Sequence, residues 1–299
     1  IVDRNNITEF ILLGLFNNQE VKDIDFIFSL YYLVILRGNL FILTTIRCSQ
    51  LNEQPMYFFL SYLSFMDVCF TSTVAPKLIV NLLAQRTTIS CNSCMAQMFY
   101  AHFFGPTETF ILVAIAFDYY VAICKPLYYM VIMSRQVCRH IVLVSSRGAF
   151  LHSIMQVLIA VHVPFCALNK IDHCFCDVFP LLKLACTDTF LLVIVLIGST
   201  GMLSILTFIS LLISYIIIHS SEGRRKALST CGSLITVAIM FFVPLIFTYS
   251  EDKVFALFYT VIAPMCNPFI YSLRNTDMKN TMRKVSLQKL LSKGKCLPW

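Results

Sequence analysis

The chain has 299 residues, of which 58% are hydrophobic and 13% charged, with a mean hydropathy of +0.77 and a formal net charge of +7. A soluble domain covers its surface with roughly 25% charged residues, so a water-solvated globule is excluded and lipid must solvate most of this surface. The positive balance does not point to nucleic acid, because the lysines and arginines collect in short loops and the tail rather than on a patch interleaved with stacking aromatics.

Seven apolar runs reach the length of about 20 residues that crosses a ~30 Å hydrocarbon core. They cover 24–46, 57–83, 95–123, 137–163, 190–219, 228–249 and 254–273. The expected fold is an all-α membrane protein, a seven-helix bundle preceded by residues 1–23 and followed by a tail over 274–299. Lysine and arginine favour the cytoplasmic side. With the N-terminus outside, the inner loops and tail carry fourteen of them and the outer segments six, so an extracellular N-terminus is expected.

The polar start carries Asn6-Ile7-Thr8, an acceptor triplet for N-glycosylation if it faces the lumen. No cleavable leader is expected, and the first span is expected to act as the insertion signal. That span holds Gly38 and Asn39, the latter either satisfied by a neighbouring helix or functional. Arg37 beside them is a guanidinium near mid-membrane, a cost of about 2.5–3.5 kcal/mol on insertion scales, and Asp67 of the second span is its candidate partner. Asp67 and Glu108 of the third span are acids inside lipid; such groups bind a cation, share a proton or line a path, or stand as neutral hydrogen-bonded acids.

From Cys94 to Asp118 the third span covers 24 steps, about 36 Å of helix, which separates the two across the core. Between them His102, Gly105, Pro106, Thr109 and Leu112 follow helical spacing and share a face. Pro106 is expected to kink the helix or free a carbonyl there. His102 alone reads equally well as a packing residue or a ligand contact. Asp118 is followed by Tyr119 and Tyr120, and the helix leaves the membrane at Lys125-Pro126. In the fourth span Arg147 is a second deep charge without a nearby acid, and the chain's single tryptophan is Trp299.

The loop before the fifth span carries Cys166, Cys174, Cys176 and Cys186, on the same side as Cys91 and Cys94. Outside the cell these six are expected to form disulfides rather than hold metal, and their spacing does not choose among the possible pairings. The fifth span offers Ser199 and Thr200 as small hydroxyls facing a cavity and ends in Ser214-Tyr215. Arg224, Arg225 and Lys226 fit the positive-inside rule. Phe242 and Tyr249 in the sixth span and Tyr259 in the seventh supply aromatic wall. In Asn267-Pro268 the asparagine answers the carbonyl that proline frees, with Tyr271 one turn on. Basic residues from Arg274 to Lys284 then alternate with Met278, Met282 and Val285, a short amphipathic helix suited to an anionic inner leaflet.

In order along the chain, NNITEFILLGL, the Gly38-Asn39 pair, PMYFFLSYLSFMD, AFDYYVAICKPLYY, SSEGRRKALSTCGSLITV and NPFIY resemble motifs of the olfactory receptors, a branch of the rhodopsin-like G-protein-coupled receptors. The resemblance runs from Asn6 to Val285. It implies a plasma-membrane receptor, not an enzyme, that binds a small volatile, mostly apolar molecule in the outer half of the bundle. His102, Gly105, Pro106, Thr109, Ser199, Thr200, Phe242, Tyr249 and Tyr259 would line that site. It further implies coupling to a heterotrimeric, olfactory-type stimulatory G protein and adenylyl cyclase. Asp118, Tyr119, Tyr120, Tyr215, Arg224, Arg225, Lys226, Asn267, Pro268 and Tyr271 would form the switch.

The same resemblance implies disulfides Cys94–Cys176 and Cys166–Cys186; Cys174 stands where the family carries an aromatic, and with Cys91 it is left as a third pair or a site of mispairing. It groups Asn39, Asp67, Glu108 and Asn267 around a sodium ion or proton, and implies no other cofactor. The chain departs from the family's pattern at Tyr119, where the family carries arginine, at Ser146 and Arg147, where it carries tryptophan and an apolar residue, and at Leu234, where it carries histidine. Those departures raise a second reading: the same fold, weakly coupling or non-functional. A secondary transporter would show internal repeats and paired broken helices, and neither is visible.

Overall fold

The computed structural model describes residues 8–13, 21–84, 88–165, 169–220, 264 and 278–284. Among them, five helices are long and apolar enough to cross a membrane: α1 (Val21–Arg47), α2 (Pro55–Ala84), α3 (Cys91–Cys124), α5 (Arg135–His162) and α7 (Phe190–Ser220). Two short helices, α4 (Tyr129–Ile132) and α6 (Val178–Leu182), lie in the connections. The spans expected at 228–249 and 254–273 lie outside the described residues, apart from helical Pro264.

The helix ends follow from side-chain chemistry. Ser90 Oγ accepts from Ser93 N at 3.2 Å to cap α3, and Ser134 Oγ accepts from Val137 N to cap α5. Pro55 opens α2, where its missing N–H costs nothing. Lys125 closes α3 because the following Pro126 disfavours helical geometry at the residue before it. Pro76 and Pro106 lie inside α2 and α3, which run on through them. Next to the carbonyl that Pro76 leaves unfilled, Gln97 Nε2 donates to Thr73 O at 3.1 Å and ties α3 to α2.

α3 is the central element and packs against α2, α5 and α7. At its Asp118 end, Ile111, Ile115 and Val121 join Ile42, Tyr57, Leu63, Val142 and Met278 in one buried cluster. At its other end, which carries a disulfide, Cys94 and Met98 join Phe10, Ile89, Val163, Leu181 and Leu196 in a second. The perimeter is apolar as well, with Leu33, Phe65, Val144, Leu151, Leu191 and Ile205 exposed, as lipid solvation requires.

The disulfide end is closed by a three-stranded sheet of order β2-β1-β3, built from β1 (Glu9–Leu12), β2 (Thr88–Ser90) and β3 (Lys170–Ile171). Phe10 pairs antiparallel with Ile89, and Ile11 pairs parallel with Lys170. Within residues 1–23, Glu9–Leu12 form the middle strand, because Phe10 and Leu12 bury completely against the bundle. Cys174 and Phe175 of the long loop pack with Ile35, Val74 and Leu78 of α1 and α2.

The expected Arg37–Asp67 pair is corrected. Arg37 is exposed while Asp67 is fully buried, and no ion pair joins them. Asn39, two residues on, is fully buried, and residues two apart on a helix point about 200° apart, so burying Asn39 turns Arg37 outward. Arg147 is exposed for the same reason, with fully buried Ala149 two positions away.

Candidate functional site

The Asp118 end of α3 carries the first group of candidate residues. Asp118 is buried, and Tyr129, at the start of α4, donates its hydroxyl to Asp118 Oδ1 at 2.9 Å. Burial, and then the neighbouring Asp118 carboxyl, push the Tyr129 phenol above its ordinary value, so it stays a donor at neutral pH. Tyr119 turns the other way and donates to Met56 Sδ on α2 at 3.1 Å. Tyr120 packs beside exposed Phe117, with ring centroids 6.1 Å apart. Asp118 and Tyr119 are thus held by different neighbours.

Asn39 occupies the middle of the bundle. Its Nδ2 donates to Ile35 O at 3.2 Å and to Pro264 O at 3.4 Å, joining α1 to the region of the seventh span. Its Oδ1 accepts nothing among the described residues. Asp67 and Glu108 are both fully buried.

At the disulfide end, Cys94 and Cys176 are bonded, which fastens the long loop over α3. Gln97 reinforces the attachment by accepting from Cys176 N at 3.0 Å. Cys186 is also disulfide-bonded; Cys166 lies outside the described residues. Cys91 carries a reduced thiol, so the third bridge to Cys174 is not formed.

The loop delivers Asp177 to α3, where His102 Nε2 donates to its Oδ1 at 3.1 Å. The same carboxylate oxygen accepts from Val178 N at 2.7 Å and caps α6. Burial acts to raise the Asp177 carboxyl, but the His102 hydrogen bond, with the nearby His102 and His173, outweighs it and holds the group below its ordinary value. His102 also meets His152 of α5 edge-on, with centroids 6.2 Å apart, and His152 shares a 3.3 Å hydrogen bond with Gln156.

Down the same face of α3, Gly105 and Thr109 are buried and Pro106 is partly buried. Thr109 Oγ1 donates to Gly105 O at 3.1 Å. On α7, Ser199 and Thr200 are partly buried one turn beyond fully buried Leu196, which shares a cluster with Met98 of α3. Ser199 Oγ donates to Leu196 O at 3.0 Å. Phe242, Tyr249, Tyr259, Arg224, Arg225, Lys226, Asn267, Pro268, Tyr271 and Asn6 lie outside the described residues; Tyr215 lies in α7.

Sequence reasoning missed Asp177, Tyr129, Met56 and His152. Asp177 carried a usable signal: it follows Cys176, and His102 stands eight residues after Cys94, about 12 Å down the helix, so a Cys94–Cys176 bridge brings acid and histidine together. Tyr129 carried none, because a turn after a helix break can point in many directions.

Against known proteins, the family description "Olfactory receptor" matches residues 28–289. The chain is 52% identical to human olfactory receptor 4S2, over 94% of this chain and 95% of that one. It is 50% identical to mouse olfactory receptor 4B13, over 97% and 99%, and 48% identical to human olfactory receptor 4B1, over 94% and 96%. On these matches, with five apolar spans among the described residues, the chain belongs to the olfactory receptor family and is a seven-helix, multi-pass plasma-membrane receptor, not an enzyme.

Proposed function

We propose that this odorant receptor takes a small, mostly apolar volatile molecule between α3, α5 and α7 beneath the bridged loop. It would signal through an olfactory-type stimulatory G protein to adenylyl cyclase. The observation that carries the reading is the contact of His102 with Asp177: a polar pair joins the loop to the same α3 face that holds Gly105, Pro106 and Thr109. A polar group set in apolar and aromatic wall is the composition that orients a small ligand by one or two hydrogen bonds. Ser199 and Thr200 on α7, and Phe242, Tyr249 and Tyr259, complete the proposed lining. Ligand binding shifts a two-state bundle toward the form open at the Asp118 end by as much as its affinity differs between the states. Asp67, Glu108 and Asn39 are proposed to hold a sodium ion or proton that differs between those states; Asn39 Oδ1, which accepts nothing among the described residues, supports it.

A second reading has its own observation. Tyr119, which replaces the family's arginine, is tied to Met56, while Asp118 is occupied by Tyr129. An uncharged phenol in that position supplies no cation to a G protein, so coupling is weak. The deciding experiment is cAMP in cells expressing an N-terminally tagged chain beside Tyr119→Arg, against an odorant panel and normalised to surface level. Agonist-driven cAMP from the original chain supports the first reading. A response from Tyr119→Arg alone supports the second. Silence of both variants at full surface level contradicts the proposed coupling.

A further inference from the structure

α5 presents two unlike faces. Val142, Ala149, Ser153 and Ala160 are buried against the bundle. On the outer side Val144, Arg147, Leu151, Ile154, Leu158 and Val161 recur at alternating steps of three and four, the spacing of a helix–helix seam. Val144, Leu151, Leu158 and Val161 are each more than half exposed, Arg147 is exposed, and Ile154 is partly buried. The seam covers seventeen residue steps, about 26 Å of helix and so most of the hydrocarbon core.

Lipid tails account for the aliphatic members of the seam but not for Arg147. Basic side chains near a helix end snorkel to the headgroups. Arg147 stands twelve residues from Arg135 and fifteen from His162, so the nearer end, and any lipid phosphate, is about 18 Å away. Arg147 makes no ion pair among the described residues. The chain's own acids do not answer it either. Within the seven apolar runs they are Asp25, at the outer end of the first, and Asp67, Glu108 and Asp118, all three buried. A second copy meeting this face symmetrically would bring Arg147 against Arg147, a like-charge contact. The missing carboxylate therefore belongs to a different molecule.

We propose that the outer face of α5 docks a membrane-spanning helix of another protein, one that carries a carboxylate near mid-membrane opposite Arg147. Guanidinium and carboxylate match in bidentate fashion, and inside lipid each charge is costly without the other. The flanking seam packs the two helices at a crossing angle of about 20°. Gly148, exposed beside Arg147, leaves room for a close approach. A Cβ there would meet only the Phe110 ring, at 4.0 Å, so the bundle's own packing does not demand glycine. Docking offsets the cost of Arg147 in the receptor and of the acid in its partner, so the partner favours membrane integration and export of the receptor.

The test co-expresses the tagged full-length receptor with a designed single-span probe, a leucine helix of about 20 residues carrying one aspartate at its centre. Resonance energy transfer between fluorophores on the two chains reads association at matched expression, and flow cytometry reads surface level. The expected transfer is about fivefold above that of the same probe with leucine in place of the aspartate. Arg147→Val brings it down to the leucine-probe level, while Arg147→Lys keeps a cation and at least half of the signal. Arg37→Leu, which removes the outward-facing cation of α1, changes it less than twofold. The surface level of the original chain rises with the aspartate probe. Arg147→Val reaches the surface without the probe and does not respond to it, which separates a lost docking face from a lost fold. Equal transfer from the aspartate and leucine probes overturns the proposal, as does transfer undiminished in Arg147→Val.

Discussion

Tyr129 places its hydroxyl 2.9 Å from Asp118 Oδ1, so the buried acid at the end of α3 is held by a residue eleven positions later, across the Lys125-Pro126 break. The contact fixes α4 to α3 and leaves Tyr119 facing Met56. Among the described residues, this phenol is the side chain that hydrogen-bonds Asp118.

Tyr129→Phe keeps the ring and removes the donor. A hydrogen bond to an acidic group is worth about 1.5–3 kcal/mol, more when its loss strands a buried acceptor. The expected outcome is a lower thermal unfolding midpoint in detergent, with a smaller loss in Tyr119→Phe, whose partner is a thioether. Equal effects from the two substitutions would contradict the assignment.

The His102–Asp177 contact makes loop docking pH-dependent in a defined direction. The folded Asp177 carboxyl is held below its ordinary 3.8, so the contact contributes in full above that value and is lost as pH falls through and below it. Thermal stability attributable to this group is therefore flat from neutral pH down to the ordinary carboxylate range and drops only in stronger acid. Asp177→Asn should remove that acid-dependent component and lower stability at neutral pH. Melting curves of both proteins across the range check it.

Cys94→Ser releases the loop, leaving Gln97 and Asp177 as its described attachments to α3. Removing a native disulfide costs about 2–5 kcal/mol in small secreted domains, enough here to retain the chain inside the cell. Cys91→Ser, at a reduced thiol, should leave surface level within twofold of the original. Flow cytometry on non-permeabilised cells distinguishes them.

Arg147 is exposed on α5, twelve residues from the start of that helix, about 18 Å into the membrane. Arg147→Val should recover most of the about 2.5–3.5 kcal/mol insertion cost and raise surface level several-fold. Arg37→Leu should do the same on α1, because Arg37 also faces outward and holds no partner in Asp67. If Arg37→Leu instead lowers stability as a broken buried ion pair would, the outward placement is wrong.

Hydropathy alone determined that this chain lives in lipid, because twenty apolar residues in a row have no other inexpensive solvent. Residue order also carried the family, through motifs spread from Asn6 to Val285. Spacing left the cysteine pairing open; the resemblance implied Cys94–Cys176, and the fold brings those two together. What only tertiary structure decided is direction: which face of each helix turns inward, and what reaches it from elsewhere. α2 and α3 are apolar all round, so composition does not mark their buried sides, and on α1 it is Asn39 rather than Arg37 that takes the inner face. Tyr129 on Asp118, Asp177 on His102 and Glu9–Leu12 in a sheet are likewise contacts between segments far apart in sequence or across a break. Their geometry is set by packing, which a one-dimensional pattern does not contain.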